Sequence, residues 1–198
     1  MDQKAQRLTF GCECHSLSRR SVIAGLACSL SLPFAAKAFS PASASDDERF
    51  MRVALDEARN ADFPFGAIIV RDGAVIARGG NHGRTHRDPT AHGEMVAIRN
   101  AVETPGADAL KGATLYTTGE PCAMCIGAII WCHIGRVVYA ASIAQLATLM
   151  DQIMITSTDI AARETFAPVA ITGGVLADEA MALFRERMTK MPAPAQRP

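Results

Sequence analysis

The sequence predicts an α/β fold, with helices packed on a mixed, roughly five-stranded sheet. Short apolar β-rich runs alternate with segments of helical period, and Gly, Pro and Asp-Gly signals mark the junctions. The chain has 198 residues, 49% hydrophobic and 20% charged, which suits one globular domain.

Asp46 to Asn60 carries Phe50, Val53, Ala54, Leu55 and Ala58 near the helical period, with acids at its start where the helix dipole is positive. Pro64–Val70 and Ala74–Arg78 are apolar runs on either side of Arg71-Asp72-Gly73, a β-hairpin pattern that ends at Gly79-Gly80-Asn81. Pro89-Thr90 opens a segment with Met95, Val96, Ile98 and Val102 at helical spacing, closed by Pro105-Gly106. His92 and Glu94 therefore fall in the first turn of a helix. Ala113–Thr118 reads as a strand, Pro121 breaks it, Cys122–His133 reads as a buried helix and Arg136–Ala141 as a further strand. Ser142–Arg163 reads as helical turns and loop. Val169–Thr172 reads as a last strand, Gly173-Gly174 as a turn, and Asp178–Lys190 as a closing helix with Met181, Phe184 and Met188 on one face. The tail, 191–198, holds three prolines and should be loose.

Lys+Arg and Asp+Glu number 20 each, but the charge is uneven. Residues 1–45 hold five basic and two acidic side chains, so 46–198 hold 15 basic against 18 acidic, a net −3. A mildly acidic body lacks the basic face of a protein that grips many phosphates, which disfavours a nucleic-acid partner.

Residues 1–45 read as an address and linker. Ser18-Arg19-Arg20-Ser21-Val22-Ile23 places two arginines before the apolar run Val22–Leu32. Small residues follow at Ala36-Lys37-Ala38 and Ala42-Ser43-Ala44. This is the order of a bacterial twin-arginine export signal, with cleavage after Ala38 or Ala44 and a periplasmic destination. Pro33 and Lys37 keep the apolar stretch below the roughly 20 residues needed to span a bilayer, so no stable membrane anchor is expected. The domain proper is 46–190. Of six cysteines, Cys12, Cys14 and Cys28 would leave with the signal, and Cys122, Cys125 and Cys132 remain. An odd number of thiols in an oxidising compartment calls for something other than paired bridges, and a metal supplies it.

The chemistry is concentrated in His92-Gly93-Glu94 and Pro121-Cys122-Ala123-Met124-Cys125. One imidazole and two thiolates make three protein ligands, the number expected of a catalytic zinc whose fourth position is open to water. Each motif sits at a predicted helix start, where backbone amides favour thiolate over thiol. Cys122 and Cys125, three apart, can face one ion, and Glu94, two residues from His92, can address the reacting water without binding the metal. His-x-Glu with Pro-Cys-x-x-Cys is a known signature of zinc deaminases. A thioredoxin-like reading of Cys122-x-x-Cys125 would leave His92 and Glu94 idle. A structural zinc would want a fourth ligand, for which Cys132 or His133 is available. Cys132, however, lies two helical turns past Cys125 and reads as a buried thiol. His82 and His86 read as loop residues rather than ligands.

At these residues the chain resembles the cytidine deaminase superfamily, and within it the branch of guanine deaminases and tRNA-type adenosine deaminases. The likeness runs from Phe63 to Ala141, through Pro64-Phe65-Gly66-Ala67, Asn81, Asp88 to Glu94, Leu115-Tyr116 and Glu120 to Ile129. It implies a three-layer α/β/α architecture and zinc-dependent hydrolysis of a C–N bond in a cyclic amidine. The substrate it implies is a small nucleobase or nucleoside, guanine to xanthine plus ammonia first. The alternatives are tRNA adenosine or cytosine/cytidine deamination and, in another class, a non-catalytic zinc-binding structural protein. It further implies Zn²⁺ on His92, Cys122 and Cys125, Glu94 as the catalytic acid/base, Asn81 as a substrate ligand and a homodimer. Asp151 matches an acidic substrate-recognising residue. Gly93 departs from the alanine often found there, at a helix-propensity cost of about 1 kcal/mol. Trp131 resembles the guanine deaminases more than the tRNA enzymes, and its helical spacing leaves a core role and a pocket role both open.

Overall fold

A computed structural model describes residues 44–190. The tail 191–198 and all but the last two residues of the predicted signal and linker lie outside the described residues. Helix α1 (Ala44–Arg59) is followed by strands β1 (Gly66–Arg71) and β2 (Ala74–Gly80), then α2 (Gly93–Glu103) and a short 3₁₀ turn at Ala107–Leu110. Next come β3 (Thr114–Gly119), α3 (Ala123–Trp131), β4 (Arg136–Ala141), two short helices α4 (Ile143–Leu146) and α5 (Ser157–Ala161), β5 (Ala170–Thr172) and α6 (Ala177–Thr189). The strands form one five-stranded sheet in the order β2-β1-β3-β4-β5. The β2–β1 and β1–β3 pairs are antiparallel, and the β3–β4 and β4–β5 pairs are parallel. This is the mixed α/β sheet that the sequence predicts.

Successive residues along each strand feed opposite faces. Ile68, Tyr116 and Val138 join Phe50, Met51 and Leu55 of α1 and Phe184 of α6 in one core. Their neighbours Ile69, Leu115 and Val137 join Ile98 of α2 and Ile126 and Ile129 of α3 in the other. Both faces are covered, which gives the three layers and explains why the strands are apolar throughout rather than alternating. The hairpin turn takes the predicted form, with Asp72 and Gly73 at φ 50° and 76°.

Two glycines let helices touch the sheet backbone. A Cβ at Gly66 would lie 2.3 Å from Ala54 O and 2.4 Å from Ala58 N of α1. A Cβ at Gly79 would lie 2.3 Å from Ala97 N and 2.4 Å from Gly93 O of α2. Opposite faces of the hairpin are thus held at contact by residues whose side chains are missing or a single methyl.

The structure corrects one helix boundary, bears out the reading of one stretch and decides one open role. The helix expected over Cys122–His133 begins at Ala123 and ends at Trp131, because Cys122 is extended (φ −65°, ψ 170°) and His133 is left-handed (φ 55°). The stretch 142–163 holds helical turns and loop as expected, its two short helices started by capping boxes at Ser142/Gln145 and Thr156/Asp159. Trp131 is 73% exposed, its ring 4.7 Å from that of Phe166, so it takes no core role. Among its neighbours in α3 the buried residues are Cys125, Ile126, Ile129 and Ile130, and Trp131 lies past the last of them on the open side.

A buried ion pair ties the first helix to the sheet. Arg136 donates from Nη1 to Asp47 Oδ1 at 2.8 Å and from Nη2 to Oδ2 at 2.7 Å, and Tyr116 OH donates to the same Oδ1 at 2.8 Å. Arg136 also reaches Thr172 Oγ1 on β5 at 3.1 Å. Both charged side chains are more than nine-tenths buried, so removing one partner strands the other. Asp47→Asn is expected to destabilise the fold by about 3–5 kcal/mol, read as a lowered urea midpoint. Burial and the Asp47 hydrogen bond push the Tyr116 hydroxyl above its ordinary range. The unfolded tyrosine therefore loses its proton first: stability is full below about pH 10 and falls as pH rises beyond it. Tyr116→Phe should flatten that alkaline slope in denaturation measured against pH.

Candidate metal centre

The close approach at Gly79 sets where α2 begins. His92 is its N-cap residue, extended at φ −68° and ψ 157°, and Cys122 holds the same place before α3. Neither side chain caps its own helix, so both are free to turn toward a shared point. Cys125 lies in the first turn of α3 and is fully buried. Gly93 has a packing reason that the propensity argument missed. A Cβ there would meet Phe65 O at 3.0 Å and Gly79 O at 3.2 Å, so the family's alanine would press on the hairpin backbone.

His92, Cys122 and Cys125 present ligand atoms that all lie within 4.8 Å of one another. His92 Nδ1 is 3.7 Å from Cys122 Sγ and 3.6 Å from Cys125 Sγ, and the two sulfurs are 3.6 Å apart. A tetrahedron with zinc–sulfur bonds of about 2.3 Å and a zinc–nitrogen bond of about 2.0–2.1 Å has edges of about 3.8 Å and about 3.5 Å. Three corners of that figure are present, and one imidazole with two sulfurs is a donor set suited to zinc. Among the described residues no other group of three such side chains converges in this way.

The electrostatics favour a charged centre. The hydrogen bond with Cys125, then that with His92, holds the Cys122 thiol down to about 4 against the opposing effect of burial. Cys125, which shares the bond and is more deeply buried, is pushed up. His92 is raised, chiefly by its bond to Cys122. Glu94, only 3% exposed, is raised by burial, with the Cys125 sulfur and its own backbone N–H among its neighbours.

The remaining sequence candidates fall elsewhere. Asn81 is buried just after β2, where its Oδ1 accepts from Gly83 N at 3.1 Å. Its backbone bonds Phe65 and Asp62, and its Nδ2 has no protein partner among the described residues. Asp151 is exposed in the loop after α4. Cys132 is half-buried against the second core rather than fully buried, and neither it nor His133 joins the ligand group. His82 and His86 stand in the loop, ring centroids 5.0 Å apart.

Sequence reading gave no role to Glu120. Its carboxylate is buried, with Oε2 accepting from Ile143 N and Oε1 from Ser157 N and Oγ, each at 2.9 Å. The only signal for it was its place two residues before Cys122.

Residues 44–141 match the family described as the cytidine and deoxycytidylate deaminase zinc-binding region. The chain belongs to the cytidine deaminase superfamily. Members of this deaminase family are hydrolases acting on C–N bonds, and the matched region is their zinc-binding one. The guanine deaminase of Bacillus subtilis (strain 168) is 55% identical over 78 residues, which cover 39% of this chain and 50% of the relative. The tRNA-specific adenosine deaminase of Agrobacterium fabrum is 50% identical over 96 residues, 46% of this chain and 63% of the relative. This chain thus spans 50% and 63% of the length of these two relatives. A protein crystallised with 2,6-diaminopurine aligns at TM-score 0.64 and 27% identity, over 76% of this chain and 85% of that one. A structure from work on tRNA:A34 deaminases aligns at TM-score 0.60 and 36% identity, over 68% of this chain and 98% of that one.

Since α2 cannot keep both its packing and the place of His92 if a methyl is added beneath it, Gly79→Ala should lose bound zinc as well as stability. Elemental analysis of the purified variant, beside its thermal denaturation, checks both.

Proposed function

We propose that the chain deaminates a small nucleobase or nucleoside by hydrolysis, guanine to xanthine and ammonia first, with zinc held by His92, Cys122 and Cys125. The observation that carries this is the buried Glu94 carboxyl set beside a three-cornered ligand group. Bound zinc would supply a polarising Lewis acid and a water acidic enough to react near neutral pH. Glu94 would take a proton from the attacking water, deliver one to the ring nitrogen and help protonate the departing ammonia. Burial suits it to this, since a carboxyl raised from its usual range both accepts and returns a proton readily. Asn81, whose Nδ2 has no partner among the described residues, would donate to an acceptor on the base.

Guanine is supported by the likeness to a guanine deaminase and to a protein crystallised with a diaminopurine. The net −3 of residues 46–198 also speaks for a small substrate over a polynucleotide. The second reading is tRNA adenosine deamination, favoured by the 36% identity to a structure that this chain covers almost completely. Export by the twin-arginine signal and a periplasmic setting belong to the first reading, because tRNA is not expected outside the cytoplasm, and zinc could enter the folded protein before export. We further propose that the working form is a homodimer. Asp151, exposed in its loop, is proposed as an additional contact to substrate.

Glu94→Ala is expected to keep stoichiometric zinc while losing about 10²–10⁴-fold in turnover, measured by ammonia release beside metal analysis. A variant that deaminates at the parent rate would show that Glu94 is not the proton carrier. Zinc-loaded protein offered guanine, guanosine, adenosine, cytosine, cytidine and tRNA should release ammonia fastest from guanine; preference for tRNA would select the second reading.

A further inference from the structure

We propose that Glu120 is a positioning residue for the metal centre, coupling Cys122 to the segment 142–161. The proposal rests on the reading that His92, Cys122 and Cys125 hold zinc.

Glu120 is a buried acid that the proposed reaction does not use. A carboxylate is costly to bury, and an apolar side chain would fill the same space more cheaply if packing alone were served. Here each oxygen is bonded, and to different elements. Oε2 accepts from the first amide of α4 at 2.9 Å, and Oε1 accepts from the first amide and hydroxyl of α5, both at 2.9 Å. The backbone N of Glu120 donates to Ala141 O at the end of β4 at 2.7 Å. One residue therefore joins the end of β3, the β4–α4 junction and the start of α5.

That junction is connected to the metal centre by a stiff link. Between Glu120 and Cys122 stands only Pro121, whose ring fixes its own φ and restricts the residue before it. A shift of Glu120 has few soft dihedrals in which to dissipate before it reaches the sulfur. The first amides of α4 and α5 have no acceptor within their own helices, and the Glu120 carboxylate supplies one to each. Its loss would release both helix starts and the Cys122 turn together.

Zinc release to an excess of chelator, followed on the zinc-loaded full chain well below its melting temperature, tests this. Glu120→Gln keeps the shape but offers N–H to one of the two donor groups, so one side of the clamp opens. It should release zinc about 10-fold faster than wild type, the scale typical of groups that orient metal ligands. Asp47→Asn, which weakens the fold at the opposite layer, should release zinc at the wild-type rate despite a melting temperature as low or lower. Equal release from Glu120→Gln and wild type would overturn the proposal, as would equal acceleration in Asp47→Asn at matched stability. If wild type itself binds no stoichiometric zinc, the metal reading fails first and takes the proposal with it. Should Glu120→Ala fail to fold, the glutamine variant still decides.

Discussion

Contact between helix and sheet backbone at Gly66 and Gly79 is the constraint from which the site follows. Helices usually rest on a sheet through side chains. Here Ala54 and Ala58 of α1 press on Gly66 from one side, and Gly93 and Ala97 press on Gly79 from the other. The start of α2 is therefore fixed against the hairpin by hard atoms rather than by flexible side chains. His92 and Glu94, on either side of Gly93, inherit that fixity. A ligand group whose nitrogen–sulfur and sulfur–sulfur separations must hold to a few tenths of an ångström needs such a foundation.

The second half of the site arrives by a different route. β3 and β4 are parallel neighbours joined by α3, so the chain leaves β3 at Gly119, turns at Glu120-Pro121 and enters α3 at Cys122. Both ligand-bearing turns are helix starts whose N-cap side chains do no capping. A capping side chain typically contributes about 1 kcal/mol, so each helix forgoes that stabilisation to aim an imidazole or a sulfur at a common point. The backbone amides left at those ends support the negative charge of the Cys122 thiolate.

Much of this was legible in the sequence, for identifiable reasons. Strands buried on both faces read as short apolar runs, and the β1–β2 turn read as Asp72-Gly73 because both residues need positive φ. His92, Glu94, Cys122 and Cys125 read as one set because ligand spacing is local within each motif, and only the meeting of the two motifs is a tertiary fact. What stayed hidden depends on partners far apart in the chain. Asp47 was indistinguishable from the other acids at a helix start until Arg136, 89 residues away, came to it. Gly79 looked like the end of a hairpin and Gly93 like a weak helix residue, because neither sequence position tells that the two backbones touch. Trp131 read as core or pocket because helical periodicity gives a face, not the point at which the packed layer stops.

Two buried glutamates each stand two residues from a proposed metal ligand, Glu94 after His92 and Glu120 before Cys122, and their surroundings differ. Both oxygens of Glu120 are bonded by three fixed donors, two of them helix amides that cannot move without unwinding a turn. A carboxylate so engaged is an anchor. Glu94 has no such clamp, and its neighbours are a sulfur of the ligand group and its own amide. Burial without fixed donors favours the neutral form, and proximity to cations favours the charged one. The Glu94 carboxyl is raised from its ordinary range by burial, the direction that suits the proton carrier proposed for it. The residue types are identical, so the proposed division between holding and shuttling rests on which hydrogen bonds the fold has already committed.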